Sequence, residues 1–151
     1  MTTPKLFIEK LNTSQTLLGL DFGDKTIGIA VSDKTHTIAT PVKTINRKGA
    51  KKDIAELIEL FEEYNVGGVV LGLPLSLNGQ ENERTKKVRK FGLEIKLHYN
   101  IKITFYDERY SSDVVYKELR KNLLSSSKIK KKINQLAASY ILQGYLDAAK
   151  I

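Results

Sequence analysis

The 151-residue sequence contains no cysteine. That excludes disulfides, thiolate-held metals and a cysteine nucleophile, and it fits a reducing compartment. Histidine is scarce as well. His36 and His98 lie far apart, so each reads as a surface or loop residue rather than part of a zinc site. Long apolar runs are missing. The longest, over residues 69–75, is broken by Pro74 and is far too short to span a bilayer. Residues 1–10 lack the apolar stretch of a signal peptide. The expected location is therefore the cytoplasm, with no membrane partner.

What the chain does have is positive charge. It carries 25 Lys+Arg against 17 Asp+Glu, a formal net charge of +8. Such an excess favours a polyanionic partner through counterion release, which makes nucleic acid the first candidate. Hydrophobic residues make up 41% and charged residues 28%, enough apolar matter for one buried core.

Residues 1–15 show no clear period and read as an N-terminal extension to a single domain over residues 16–151. Residues 16–21 and 27–32 are two β-prone runs joined by a short polar link containing Gly23, as in a hairpin. A third strand is expected over residues 37–44, its pairing limited by Pro41. Ile54, Leu57, Ile58 and Phe61 then recur at helical spacing, with Asn65 as a stop. Residues 68–73 form a continuous apolar run, as a strand buried on both faces requires. A polar loop over 74–80 leads to a helix with Val88, Phe91 and Ile95 on its inner face. Ile101, Ile103 and Phe105 alternate with polar neighbours as a half-buried strand. A helix burying Val115, Leu119 and Leu123, capped by Ser111 or Ser112, is expected next. After a loop at 125–127, the last helix carries Ile133, Leu136, Ala137, Tyr140, Ile141 and Gly144 as one stripe. Three meandering strands followed by strands alternating with helices predict an α/β fold, a mixed sheet with helices packed on it.

Four places could carry chemistry. Asp21 ends the first strand, and Gly23 beside it lets a phosphate or backbone come close. Asp107-Glu108-Arg109 ends the last strand, where two carboxylates and a cation can hold a hard metal and a phosphate together. Alternation puts Glu108 on the strand face opposite Phe105, but the sequence leaves Asp107 and Glu108 both open as ligand. Gly72-Leu73-Pro74 with the turn residues Asn78-Gly79 could shape a cleft wall. Lys128, Lys130, Lys131 and Lys132 crowd the start of the last helix, where the dipole disfavours cations, so a bound phosphate is a natural partner.

Taken in order, these segments resemble the YqgF or RuvX family. They are Gly19-Leu20-Asp21-Phe22-Gly23 with the run from Ile27-Gly28 to Ser32-Asp33; Val70-Leu71-Gly72-Leu73-Pro74 with Asn78-Gly79; Val88 and Phe91; Asp107-Glu108-Arg109; and Lys132-Ile133-Asn134 through Ala137-Ala138 to Gln143. The resemblance implies a ribonuclease H-like fold with a five-stranded sheet. It implies a nuclease that processes the 5′ end of precursor small-subunit ribosomal RNA. A role on Holliday junctions is implied by likeness to resolvases. The family's acids would fall on Asp21, on Glu108 and on position 134, around Mg²⁺ or Mn²⁺. Lys25 and Arg109 would contact backbone phosphates. The expected assembly is a monomer or a homodimer.

Position 134 departs from the family: the usual Asp is Asn134 here. An amide can offer a carbonyl oxygen to a hard cation, but without charge. Reduced activity follows as an expectation, with Asp113 the better candidate for compensation. Asp147 is a poor one, because it lies about 140° round the helix from position 134. Asn134 also favours a second reading, a non-catalytic RNA- or ribosome-binding protein on the same fold. A phosphotransferase of the sugar-kinase type ranks last, since this chain lacks a second lobe to enclose a nucleotide.

Overall fold

The computed structural model describes residues 2–108 and 132–151 in full, and the backbone of residues 126–131. Five strands form one sheet: β1 (Thr16–Phe22), β2 (Thr26–Ser32), β3 (Ala39–Asn46), β4 (Val66–Leu73) and β5 (Lys102–Asp107). Their spatial order is β3-β2-β1-β4-β5. The β1–β2 and β2–β3 pairs are antiparallel, while β4 runs parallel to both β1 and β5. This is the mixed sheet that the sequence pattern predicts. The third strand lies at Ala39–Asn46 rather than 37–44. Its ladder with β2 shifts register between Ile29 and Ala30, where Pro41, lacking an N–H, pairs with Ala30.

Helices α2 (Ala50–Glu63) and α3 (Glu83–His98) cover one face. Their Ile54, Leu57, Phe61, Val88, Phe91 and Ile95 pack on Leu18, Leu20, Ile27, Ile29, Val69 and Leu71. Asn65 follows α2 with φ 51°, a conformation its short polar side chain tolerates, and it ends the helix as expected. All eight residues of β4 are buried, in line with a strand covered on both sides.

The last helix, α4 (Ser126–Ala148), covers the opposite face. Its Ala138, Ile141, Leu142, Tyr145 and Leu146 pack with Leu17, Ala30 and Val70. It begins inside the loop expected at 125–127. The expected helix around Val115, Leu119 and Leu123 lies outside the described residues, as does Asp113.

Residues 1–15 show no period in sequence, yet they contain helix α1 (Pro4–Glu9), capped by the Thr3 hydroxyl with Pro4 in the first turn. Phe7 is buried there, with its ring edge-on to Tyr145 at a centroid distance of 6.1 Å. The N-terminal segment is thus docked on α4 and adds to the second core.

Candidate active site beneath the last helix

Strand alternation sorts the residues of β1. Leu18 and Leu20 face α2 and α3, so Leu17, Gly19 and Asp21 face α4. Because β1, β4 and β5 run parallel, their C-terminal ends meet at one edge of the sheet. Asp21 lies there, paired across the hairpin with Gly28. Glu108, one residue beyond β5, donates its N–H to the Leu73 carbonyl at 3.1 Å. Its carboxyl lies over Gly72: a Cβ added to Gly72 would meet Glu108 Cδ at 2.9 Å and Ile141 Cδ1 at 2.6 Å. Glu108 therefore shares the α4 side of the sheet with Asp21. Asp107 pairs with Leu73 and alternates to the side of Phe105, where it lines a groove along β5.

The third element comes from far along the chain. Helix α4 passes so close to β2 that a Cβ on Gly28 would lie 2.0 Å from the Asn134 carbonyl oxygen. Only glycine permits that approach. Asn134 Nδ2 then donates to the Thr26 hydroxyl at 2.7 Å, which leaves Oδ1 as the acceptor of that side chain. Two carboxylates and one amide thus converge from β1, β5 and α4. Among the described residues no group of three His, Asp or Glu side chains makes a metal cage.

The cations are placed unevenly. Lys25 is exposed at the tip of the β1–β2 hairpin, and Lys132 is exposed on α4, two residues before Asn134. Arg109 and the side chains of Lys128, Lys130 and Lys131 lie outside the described residues.

Two arginines that the sequence reading passed over bear on the site. Arg47, just after β3, grips the hairpin. Its N–H donates to Lys25 O at 2.9 Å, its Nη1 to Gly23 O at 3.3 Å, and its guanidinium stacks 4.3 Å from the Phe22 ring centroid. Buried Asp53 holds its Nε at 3.2 Å. Arg84, in the first turn of α3, acts on Asp21 through charge. The capping box that starts α3, Asn82 with Thr85, is readable in Asn82-Glu83-Arg84-Thr85. It would have marked the turn, though not its neighbour.

Burial pushes the Asp21 carboxyl up to about 6, and the Arg84 guanidinium pulls it the other way. The folded value lies above the unfolded 3.8, so the fold holds the proton more tightly. The stability this brings is complete below pH ~4 and is lost as pH rises through about 6. Thermal melts of the metal-free protein should show this loss, and it should be absent in Asp21→Asn. Identical pH profiles for the two chains would place Asp21 in water rather than in a dry site.

A cavity of about 960 Å³ runs along β5 and is lined by neither Asp21 nor Asn134. A smaller one, about 340 Å³, lies between Glu108, Tyr106 and the Tyr140–Gly144 stretch of α4. Asp21 lines neither. Glu108 thus lines a cleft beside α4, while Asp21 and Asn134 are half-buried near it.

Comparison with known proteins places the chain in a family and a fold. Residues 15–148 match the model of the RuvX family, described as Holliday junction resolvase. A protein of Paramagnetospirillum magneticum, named as a candidate pre-16S rRNA nuclease, is 40% identical over 144 residues, covering 95% of this chain and 93% of its own. A Clostridium botulinum protein of the same name is 42% identical over 132 residues, covering 87% and 96%. The Holliday junction resolvase of fowlpox virus superposes with a TM-score of 0.55 at 16% identity, covering 88% of this chain and 98% of its own. That likeness shows the shared ribonuclease H-like fold. With matches running from β1 to the end of α4, the chain belongs to the RuvX family and is a nuclease.

Proposed function

We propose that this chain hydrolyses phosphodiester bonds at the 5′ end of precursor small-subunit ribosomal RNA, with Mg²⁺ or Mn²⁺ held by Asp21 and Glu108. The observation that carries this reading is the convergence of these two carboxylates on the α4 side of the sheet, with Asn134 brought over Gly28 beside them. The residues fit a hard cation. Oxygen donors dominate, and the partly desolvated Asp21 lacks any described hydrogen-bond partner to stabilise its charge. A bound Mg²⁺ or Mn²⁺ supplies activation of water and neutralisation of charge on the attacking and leaving oxygens.

The chain's own residues do the remaining work. Asp21 and Glu108 fix the position of the cation relative to the scissile phosphate. Asn134 offers Oδ1 as a neutral donor while Thr26 fixes its plane. Arg47 holds the hairpin main chain, and with it Lys25, which together with Lys132 and Arg109 contacts backbone phosphates. The lysines at 128, 130 and 131 belong to the same basic end of α4. Asp107 serves as a further acid at the strand end, outside the Asp21–Glu108 pair. Residues 16–151 form the nuclease domain, and residues 1–15 are its N-terminal arm.

The test is metal-dependent cleavage of a labelled precursor fragment, with a four-way DNA junction in parallel. Cutting of the RNA alone supports the reading, and cutting of the junction alone replaces the substrate with branched DNA. The RuvX family's description favours the junction as the second reading. No cutting of either, with salt-sensitive RNA binding retained, moves the chain to a binding role.

Asn134 lowers activity in this proposal, because the site lacks one formal negative charge. Asn134→Asp should raise cleavage about 10-fold or more at limiting Mg²⁺ and tighten Mg²⁺ binding by a similar factor. Unchanged metal affinity in a folded variant would remove position 134 from the site. The gain should be greatest above pH 6, where Asp21 is ionised.

A further inference from the structure

We propose that Arg84 binds a backbone phosphate of the nucleic acid, so that the first turn of α3 forms a second wall of the site opposite α4. This rests on the nuclease reading above and adds a contact that the basic cluster of α4 does not supply.

Arg84, Lys87 and Phe91 stand at i, i+3 and i+7, one face of α3. Phe91 anchors that face: its ring stacks on Phe22 at a centroid distance of 4.2 Å. Lys87 reaches the hairpin tip, with Nζ 3.6 Å from Asp24 Oδ1. Arg84 lies one turn further towards the helix start, so it is carried to the Asp21 end of the hairpin. The turn is held in place, since Asn82 caps it and donates to Pro74 O at 2.9 Å and Ser76 Oγ at 3.0 Å.

The other cations of this helix turn are engaged. Lys86 pairs with Glu83 at 3.1 Å, and Arg89 pairs with Glu81 at 2.5 Å. Arg84 is exposed and makes no ion pair or hydrogen bond with a described residue. A planar guanidinium beside a carboxylate, yet not bonded to it, suits a bidentate phosphate contact. Its position at a helix N-terminus adds backbone dipole to the same anion.

Binding of a labelled precursor RNA oligonucleotide, measured across salt concentration with divalent ions omitted, tests this. Arg84→Ala should weaken binding about 10- to 100-fold and reduce the salt slope by about one. Arg84→Lys should keep the slope and recover part of the affinity. Lys86→Gln, which removes the same charge from the opposite side of the helix, about 200° round from Arg84, should change little. Unchanged affinity in Arg84→Ala overturns the proposal. So does weakened affinity with an unchanged slope, which would assign Arg84 to something other than a phosphate. A wild-type chain that binds no RNA overturns the underlying reading, and the proposal with it.

Discussion

Replacing Asp21 with Asn should abolish cleavage and at the same time raise the melting temperature of the metal-free protein. The two effects have one cause. The fold takes the Asp21 carboxylate partly out of water at the α4 side of the sheet, and burial raises it to about 6. Above that pH the charge destabilises the metal-free protein. A rise from 3.8 to about 6 corresponds to about 3 kcal/mol, and partial exposure brings the expected gain to about 1–3 kcal/mol, a few degrees in Tm. Below pH ~4 both residues are neutral, and the gain should vanish. Catalysis responds in the opposite direction. An amide cannot supply the charge that holds the cation, so the rate should fall at least about 10³-fold, as loss of several kcal/mol of transition-state stabilisation requires. Mg²⁺ should raise the Tm of wild type at pH 7.5 and leave the variant unmoved. A folded variant that cuts normally would falsify the role given to Asp21. A variant that loses both stability and activity would show that Asp21 holds the fold rather than the cation.

Gly28→Ala should be the most disruptive single-methyl change. The new Cβ would lie 2.0 Å from Asn134 O, 2.2 Å from Asn134 C and 2.8 Å from Gln135 N, all backbone atoms of α4. A helix main chain cannot bend aside locally, so α4 must lift from β2. The expected cost is about 3 kcal/mol or more, at the upper end for overpacking. The Asn134–Thr26 bond is lost in the same movement, and activity falls with it. Gly72→Ala is the informative partner. Its Cβ would meet side-chain atoms, Ile141 Cδ1 at 2.6 Å and Glu108 Cδ at 2.9 Å. Those can yield by rotation, so stability should fall less while the displaced Glu108 costs cleavage. Chemical denaturation and single-turnover rates on both variants separate the two. Equal stability losses would show that α4 is mobile enough to accommodate Gly28→Ala.

Much of the fold was legible because it rests on local period. Continuous burial of residues 68–73, the helical stripe ending at Asn65 and the alternation of Ile101, Ile103 and Phe105 all reflect which face of an element is dry. Helix α1 was not legible. Six residues are too few to establish a period, and its docking depends on Tyr145, at the other end of the chain. The signal that could have found it was the pair Thr3-Pro4, a cap followed by proline in the first turn.

By itself the sequence determined the order of the five strands and of helices α2, α3 and α4 among them, the absence of thiol chemistry, the positive charge and the acids at the ends of two strands. Those properties are carried by single residues or short periods. Alternation and the family resemblance pointed to Glu108, but only the tertiary structure put Glu108, and not Asp107, on the Asp21 side of the sheet. It also brought Asn134 to Thr26 across 108 residues, and set Arg84 and Arg47 against the hairpin. The physical reason is that a charge is shifted and a carboxylate is aimed by neighbours close in space. In this chain those neighbours come from strands and helices far apart in sequence, brought together by the sheet and by the close passage of α4 over it, as at Gly28.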